Sequence, residues 1–232
     1  IGASPITADD IRPASDITAI PSALVINIGT LNQRTVESMI ASGRTANQLG
    51  IPVVFDPVGA GASAFRNETV ERILQEVKIS ILRGNLSEVS YVAGLSAAAK
   101  GVDVSEEDAA NDPVDAACQA ARRLGCTVGV TGAVDIVTDG NRVAKIHNGH
   151  PLMAKVTGTG CMTSAITAGY AGMQEDMWTA ATAGILSIGL AGEIAYGRAA
   201  HMGTGSFRTG IIDGLSSLNE TLMEEMAKVE EM

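Results

Sequence analysis

Short runs of branched apolar residues, each closed by polar residues or glycine, alternate with longer stretches whose apolar positions recur at helical spacing. Leu24-Val25-Ile26-Asn27-Ile28-Gly29 is the first run and Pro52-Val53-Val54-Phe55-Asp56-Pro57 the second. Ile79-Ser80-Ile81-Leu82-Arg83-Gly84-Asn85 and Thr127-Val128-Gly129-Val130-Thr131-Gly132 are the third and fourth. Short apolar runs bounded by turn signals read as strands buried on both faces. Residues 34–49, stopped by Gly50, and 67–77 carry the helical spacing. Ser87 and Glu88 open a short helix, and Ser105-Glu106-Glu107-Asp108 looks like the capped start of another, running to Leu124, with Pro113 as a point of kinking or restart. Alternating strand and helix predict an α/β fold with a central, mostly parallel sheet and helices on both faces.

The second half has a different rhythm. Residues 135–138 and 142–146 flank Asp139-Gly140-Asn141, a hairpin signal. From Gly160 a long helical region begins, interrupted around Gly172 and again between Gly197 and Gly205, and residues 211–228 read as a last helix. No composition break, Pro-rich linker or repeat divides the chain, so residues 1–232 form one domain in this reading. Residues 180–195 are the most apolar stretch, but Glu193 and several glycines interrupt it, which favours a buried helix over a membrane span.

Composition changes the picture in two ways. Aromatic residues make up 3% of the chain and charged residues 18%, so the core relies on small aliphatic side chains. The net charge of −10 argues against nucleic acid as a partner, although a local glycine loop can bind an anion in an acidic protein. Three cysteines without a CxxC pair suit a reducing cytoplasm.

In an open α/β sheet ligands bind beyond the carboxyl ends of the strands. Those ends here carry Asn27 and Gly29, then Asp56, then Arg83 and Asn85, then Thr131 and Gly132. Gly158-Thr159-Gly160 precedes a helix start, where backbone N–H groups lack internal partners and the helix dipole adds positive charge. That makes it a candidate anion pocket for a phosphoryl group, distinct from a Walker A loop, with a threonine-capped tight turn as the plainer reading. Cys161 stands where a helix N-terminus favours thiolate, so it reads as nucleophile, proton acceptor or small packing residue. Cys118 and Cys126 read as packing residues. Gly59-Ala60-Gly61 matches a dinucleotide fingerprint only loosely, since Asp-Pro before it would repel a pyrophosphate. His147, His150 and His201 make no convincing metal set, and a GxSxG elbow is absent.

Taken together, "VVFDPVGAGAS", "ILRGNLSEV", "VGVTGAVDIVTDG" and "VTGTGCMTSAI", with "GASP" and "NIGTL" upstream, resemble the signature blocks of hydroxyethylthiazole kinases. These are ribokinase-like enzymes that phosphorylate 4-methyl-5-(2-hydroxyethyl)thiazole with ATP and Mg²⁺ in thiamin salvage. The resemblance implies that Gly158, Thr159 and Gly160 form the anion hole and that Cys161 is the catalytic residue. It implies that Arg83 and Thr131 contact ATP, that Asp56 and Glu88 help hold Mg²⁺, and that Thr7 and Gly158 meet the substrate. Family members commonly carry methionine where Thr7 stands. They also begin with an asparagine-rich block that precedes the part matched by Ile1 onward. Homotrimers with sites at subunit boundaries are the family's assembly. Other readings remain open: a ribokinase-like kinase for a hydroxymethylpyrimidine or a sugar, or a non-catalytic nucleotide-binding protein. An ADP-dependent hydratase-repair lyase shares the fold, but typically keeps aspartate at the Cys161 position.

Overall fold

The computed structural model describes residues 1–95 and 112–232. The expected cap at Ser105 lies outside the described residues. Seven strands form one sheet in chain order: β1 (Leu24–Asn27), β2 (Val53–Asp56), β3 (Ile81–Asn85), β4 (Thr127–Thr131), β5 (Asp135–Thr138), β6 (Val143–Ile146) and β7 (Val229–Glu231). Strands β1 to β4 are parallel, and β5, β6 and β7 add antiparallel neighbours. β6 therefore points the same way as β1 to β4, so the mostly parallel sheet expected from the strand–helix alternation holds.

The order β1-β2-β3-β4 needs a crossover between each pair. Crossovers of one hand place their helices on one face. These helices are α2 (Gln33–Leu49), α3 (Ala64–Glu76), α4 (Leu86–Ala93) and α5 (Pro113–Leu124). Their apolar sides meet Ile26, Phe55, Leu82, Val128 and Val130. The opposite face is covered by α6 (Thr159–Ala171), α7 (Met177–Ala199) and α9 (Glu220–Met226), which pack on Val54, Ile81, Val137 and Ile146. Because neighbouring residues of a strand point to opposite faces, Val54 and Asp56 share the α6 face, as do Ile81 and Arg83.

Small residues bring the helices close. A Cβ on Gly184 of α7 would lie 2.6 Å from the Cα of Thr167 in α6. α8 (Thr204–Ser217) lies against the outer side of α7, burying Phe207 and Ile211 with Ala191 and Ala195. By length and hydropathy α7 could cross a bilayer, which the run at 180–195 alone did not suggest; 67% of its most apolar window is buried inside the protein, as befits a core helix.

The structure differs from the sequence reading at three places. Residues 211–228 are not one helix: α8 ends at Ser217, α9 is short, and the chain then turns into β7 against β6. α3 starts a turn earlier than residue 67, since Ser63 caps it by accepting from the Arg66 N–H. Of the two readings of Pro113, the start of a helix holds: it occupies the first turn of α5 behind an Asp112 cap. A further helix, α1 (Ile11–Thr18), is capped by Asp10.

Candidate active site

The parallel strands end together. Asn27 pairs in register with Asp56, and Asn85 with Thr131. The polar residues Asn27, Asp56, Arg83 and Thr131 occupy the α6 side at this edge, where α6 begins. The sequence therefore builds the site by ending four apolar strands in polar residues of the same facing parity and aiming a helix start at them.

Asp56 is fully buried. Its Oδ2 accepts from Asn27 Nδ2 at 2.9 Å and from Ser164 Oγ at 2.7 Å, and lies 3.7 Å from Arg83 Nη1. Its Oδ1 has no partner among the described residues. Burial pushes this carboxyl above its ordinary pKa, against the pull of Arg83, Ser164 and Asn27. The second Asn27 N–H reaches the exposed Cys161, donating to Sγ at 3.3 Å. Arg83 is buried, donates through Nη2 to Thr131 Oγ1, and keeps an unpartnered Nε.

Glu88 sits in the first turn of α4 and is buried as well. Its Oε1 accepts from the Gly59 N–H and its Oε2 from the Asn85 N–H, each at 2.8 Å. Desolvation raises its pKa, and the charge of Asp56 adds to that rise. Two buried carboxyls thus share the Arg83 guanidinium, and one carboxylate oxygen is orphaned. Asp135, on the hairpin beside the site, accepts from the Gly132 N–H at 2.8 Å; burial lifts its pKa to about 6, while Arg83 opposes the rise.

The start of α6 is open. Gly158, its N-cap, has φ +98°, and no side chain caps the helix. Only glycine takes that backbone conformation without strain. Thr159 turns its hydroxyl back onto the carbonyls of Val156 and Met153 rather than across the helix end. Gly160 faces Arg83: a Cβ there would stand 2.8 Å from Nη1. The first-turn amides, the guanidinium and the thiol accordingly converge on one surface that can receive an anion and hold a hydroxyl beside it.

Of the residues expected from sequence, Asp56, Arg83, Thr131, Cys161 and Gly160 come together, with Glu88 one strand-end away. Thr7 lies exposed on the segment before α1, whose next residues, Ala8 and Asp9, line a cavity of about 100 Å³ with β1 and α2. Cys118 neighbours Thr138, and Cys126 is buried with its thiol pushed up to about 12, so both are packing residues. Among the described residues no group of three or more His, Cys, Asp or Glu could cage a metal ion. Asn27 and Ser164 are the residues the structure adds to this cluster, both donating to Asp56. Asn27 was visible as a strand-end amide. Ser164 carried a fainter signal, its spacing of four from Gly160, which puts both on one helix face.

The sequence matches the hydroxyethylthiazole kinase family over residues 1–221. The chain belongs to this family. Two similar proteins named hydroxyethylthiazole kinase come from Ruminiclostridium cellulolyticum and Clostridium beijerinckii. They are 58% and 57% identical, and each match covers 100% of this chain and 85% of the relative. The solved hydroxyethylthiazole kinase structure from Pyrococcus horikoshii superimposes with a TM-score of 0.89 at 38% identity, covering 100% of this chain and 85% of that one. A pyridoxal kinase from Staphylococcus aureus, at 20% identity and a TM-score of 0.56, shares the fold over 78% of this chain and 64% of its own. As a hydroxyethylthiazole kinase family member the chain is a kinase with the ribokinase-like fold.

Proposed function

We propose that the carboxyl edge of the sheet transfers the terminal phosphoryl group of ATP to the hydroxyl of 4-methyl-5-(2-hydroxyethyl)thiazole. The observation that carries this reading is the uncapped start of α6, faced by Arg83 and flanked by Cys161. The alcohol oxygen forms a bond to the γ-phosphorus while the bond to the β–γ bridging oxygen breaks; ADP leaves with that electron pair and the hydroxyl proton is released to solvent. Charge gathers on the transferring oxygens in a loose transition state, so positioned donors matter more than a strong base. The amides of residues 159–161 meet those oxygens, and Arg83 and Thr131 hold the remaining phosphates. Cys161 Sγ already accepts from Asn27 and accepts a second hydrogen bond from the substrate hydroxyl, aligning it for attack.

The buried donor set fits a hard cation: two carboxyls against one guanidinium, with Asp56 Oδ1 unsatisfied. Asp56 and Glu88 would hold Mg²⁺, largely through waters, because this ion keeps several of its own. When bound it neutralises phosphate charge. Gly158 and Thr7 are the proposed substrate contacts. A homotrimer with sites at subunit boundaries, working in the cytoplasm, completes the reading by family analogy.

A coupled assay of ADP release tests it. The thiazole alcohol should stimulate ADP formation in the presence of Mg²⁺, and chelation should abolish it. Turnover of a hydroxymethylpyrimidine or a sugar, but not the thiazole, would overturn the substrate assignment.

A further inference from the structure

The structure assigns Arg66 as a positioning residue for this site, an inference that rests on the kinase reading above. Arg66 lies in the first turn of α3 and is half-buried. Its Nη1 donates to the carbonyls of Ile28 and Val58, each at 2.6 Å, and its Nη2 to the carbonyl of Gly29 at 3.0 Å. One guanidinium therefore ties together the loops that follow β1 and β2. Both loops continue directly into site residues. The Gly29 N–H donates to Asn27 Oδ1 at 2.9 Å, and Asn27 in turn reaches Asp56 and Cys161. Val58 precedes Gly59, whose N–H holds Glu88.

Arg66 packs against Gly59 in van der Waals contact, and Gly29 lies close against Asn27. A Cβ on Gly59, whose φ is +69°, would stand 3.4 Å from Arg66 Cδ and Nε. A Cβ on Gly29 would stand 2.9 Å from Asn27 Oδ1. A planar fork with several donors spans three carbonyls on two loops; an ammonium on a flexible stem does not. Asn67, the next residue, reinforces the clamp by accepting from the Gly61 N–H at 2.8 Å. Arg66 thus sets the spacing between the amide that holds the thiol and the carboxylate that faces the cation.

The experiment compares Arg66→Ala and Arg66→Lys with the unaltered protein, at a temperature where circular dichroism shows each variant folded. Misplacing reacting groups slightly can cost about 100-fold in rate. The expected result is a kcat lowered roughly 10- to 100-fold, with KM for the alcohol within about threefold. The lysine variant should recover only part of the loss. A folded variant with kcat within twofold of the unaltered enzyme would overturn the assignment; if the alanine variant does not fold, the lysine variant decides. The Asn27 side-chain amide and the Gly59 amide provide a readout independent of turnover. Their NMR signals should move in Arg66→Lys while those of α8 stay in place, and unmoved signals would overturn the proposal. An unaltered protein without thiazole turnover would instead sink the kinase reading, leaving these amide signals to decide Arg66.

Discussion

α4 and α6 both begin at the carboxyl edge of the sheet, and their sequences treat that beginning in opposite ways. At α4, Asn85 accepts from the Glu88 N–H while Glu88 accepts from the Asn85 N–H, a reciprocal capping box. At α6, glycine stands in the cap position and no side chain closes the end. The first arrangement satisfies orphan donors within the chain; the second leaves them for a guest. The cap at α4 stabilises the fold, and α6 goes without that stabilisation, in keeping with the proposed binding role of its start. In the proposed reading the same edge carries both because α4 would present Glu88 to the cation while α6 would present amides to the phosphate.

The sharpest way to break this comparison is to fill the open end. Gly160→Ala would push a methyl group against the Arg83 guanidinium, which is buried and tied to Thr131. Steady-state kinetics should show kcat lowered by about 10²–10³-fold, the loss typical of a disturbed oxyanion-type site. Full activity in that variant would detach the helix start from catalysis. Cys161→Ala tests the neighbouring role. If Sγ only aligns the hydroxyl, kcat should fall by less than the about 10²–10⁴-fold that loss of a general base costs, and a loss within that range would mark it as a general base.

The opposite substitution acts on stability. Asn85→Ala removes the cap of α4 and should cost about 1 kcal/mol. For a chain of this size that is a drop of about 2–4 °C in melting temperature by calorimetry. An effect on kcat as large as that of Gly160→Ala would erase the contrast between the two helix starts.

The smallest expected effect concerns pH. Asp135 is raised in the native state to about 6, against about 3.9 in an unfolded chain. Between these values the native protein binds more protons, so this residue's contribution to stability is present at low pH and is lost as pH rises from about 4 to about 6. Asp135→Asn should flatten that slope in denaturant titrations of the ligand-free protein. Asp56 and Glu88 are shifted in the same direction and keep part of the slope.

These residues also show how far the sequence could be read. Asp56, Arg83 and Thr131 were legible because each ends an apolar run, and strand ends in such sheets face the ligand. The glycine turn before Cys161 was legible because a backbone approach demands it. β7 was not: Val229-Glu230-Glu231 has no strand pattern, and its conformation comes from main-chain pairing with β6. α9 and β7 are instead fastened by Asn148, which donates to the Met226 carbonyl and accepts from the Lys228 N–H. Arg66 was equally hidden, since its acceptors are carbonyls, which every residue has. Contacts to the backbone leave no mark on the identity of the partner, whereas facing parity and glycine do.

The open helix start can be probed directly with the amide signals of Thr159, Gly160 and Cys161, followed by ¹⁵N–¹H NMR while ADP, Mg²⁺ and aluminium fluoride are added to mimic the migrating phosphoryl group. Large shifts of these three amides are expected, with those of the α4 capping box moving far less. Unchanged signals at 159–161, in protein that demonstrably binds the nucleotide, would contradict the proposed binding role of this helix start.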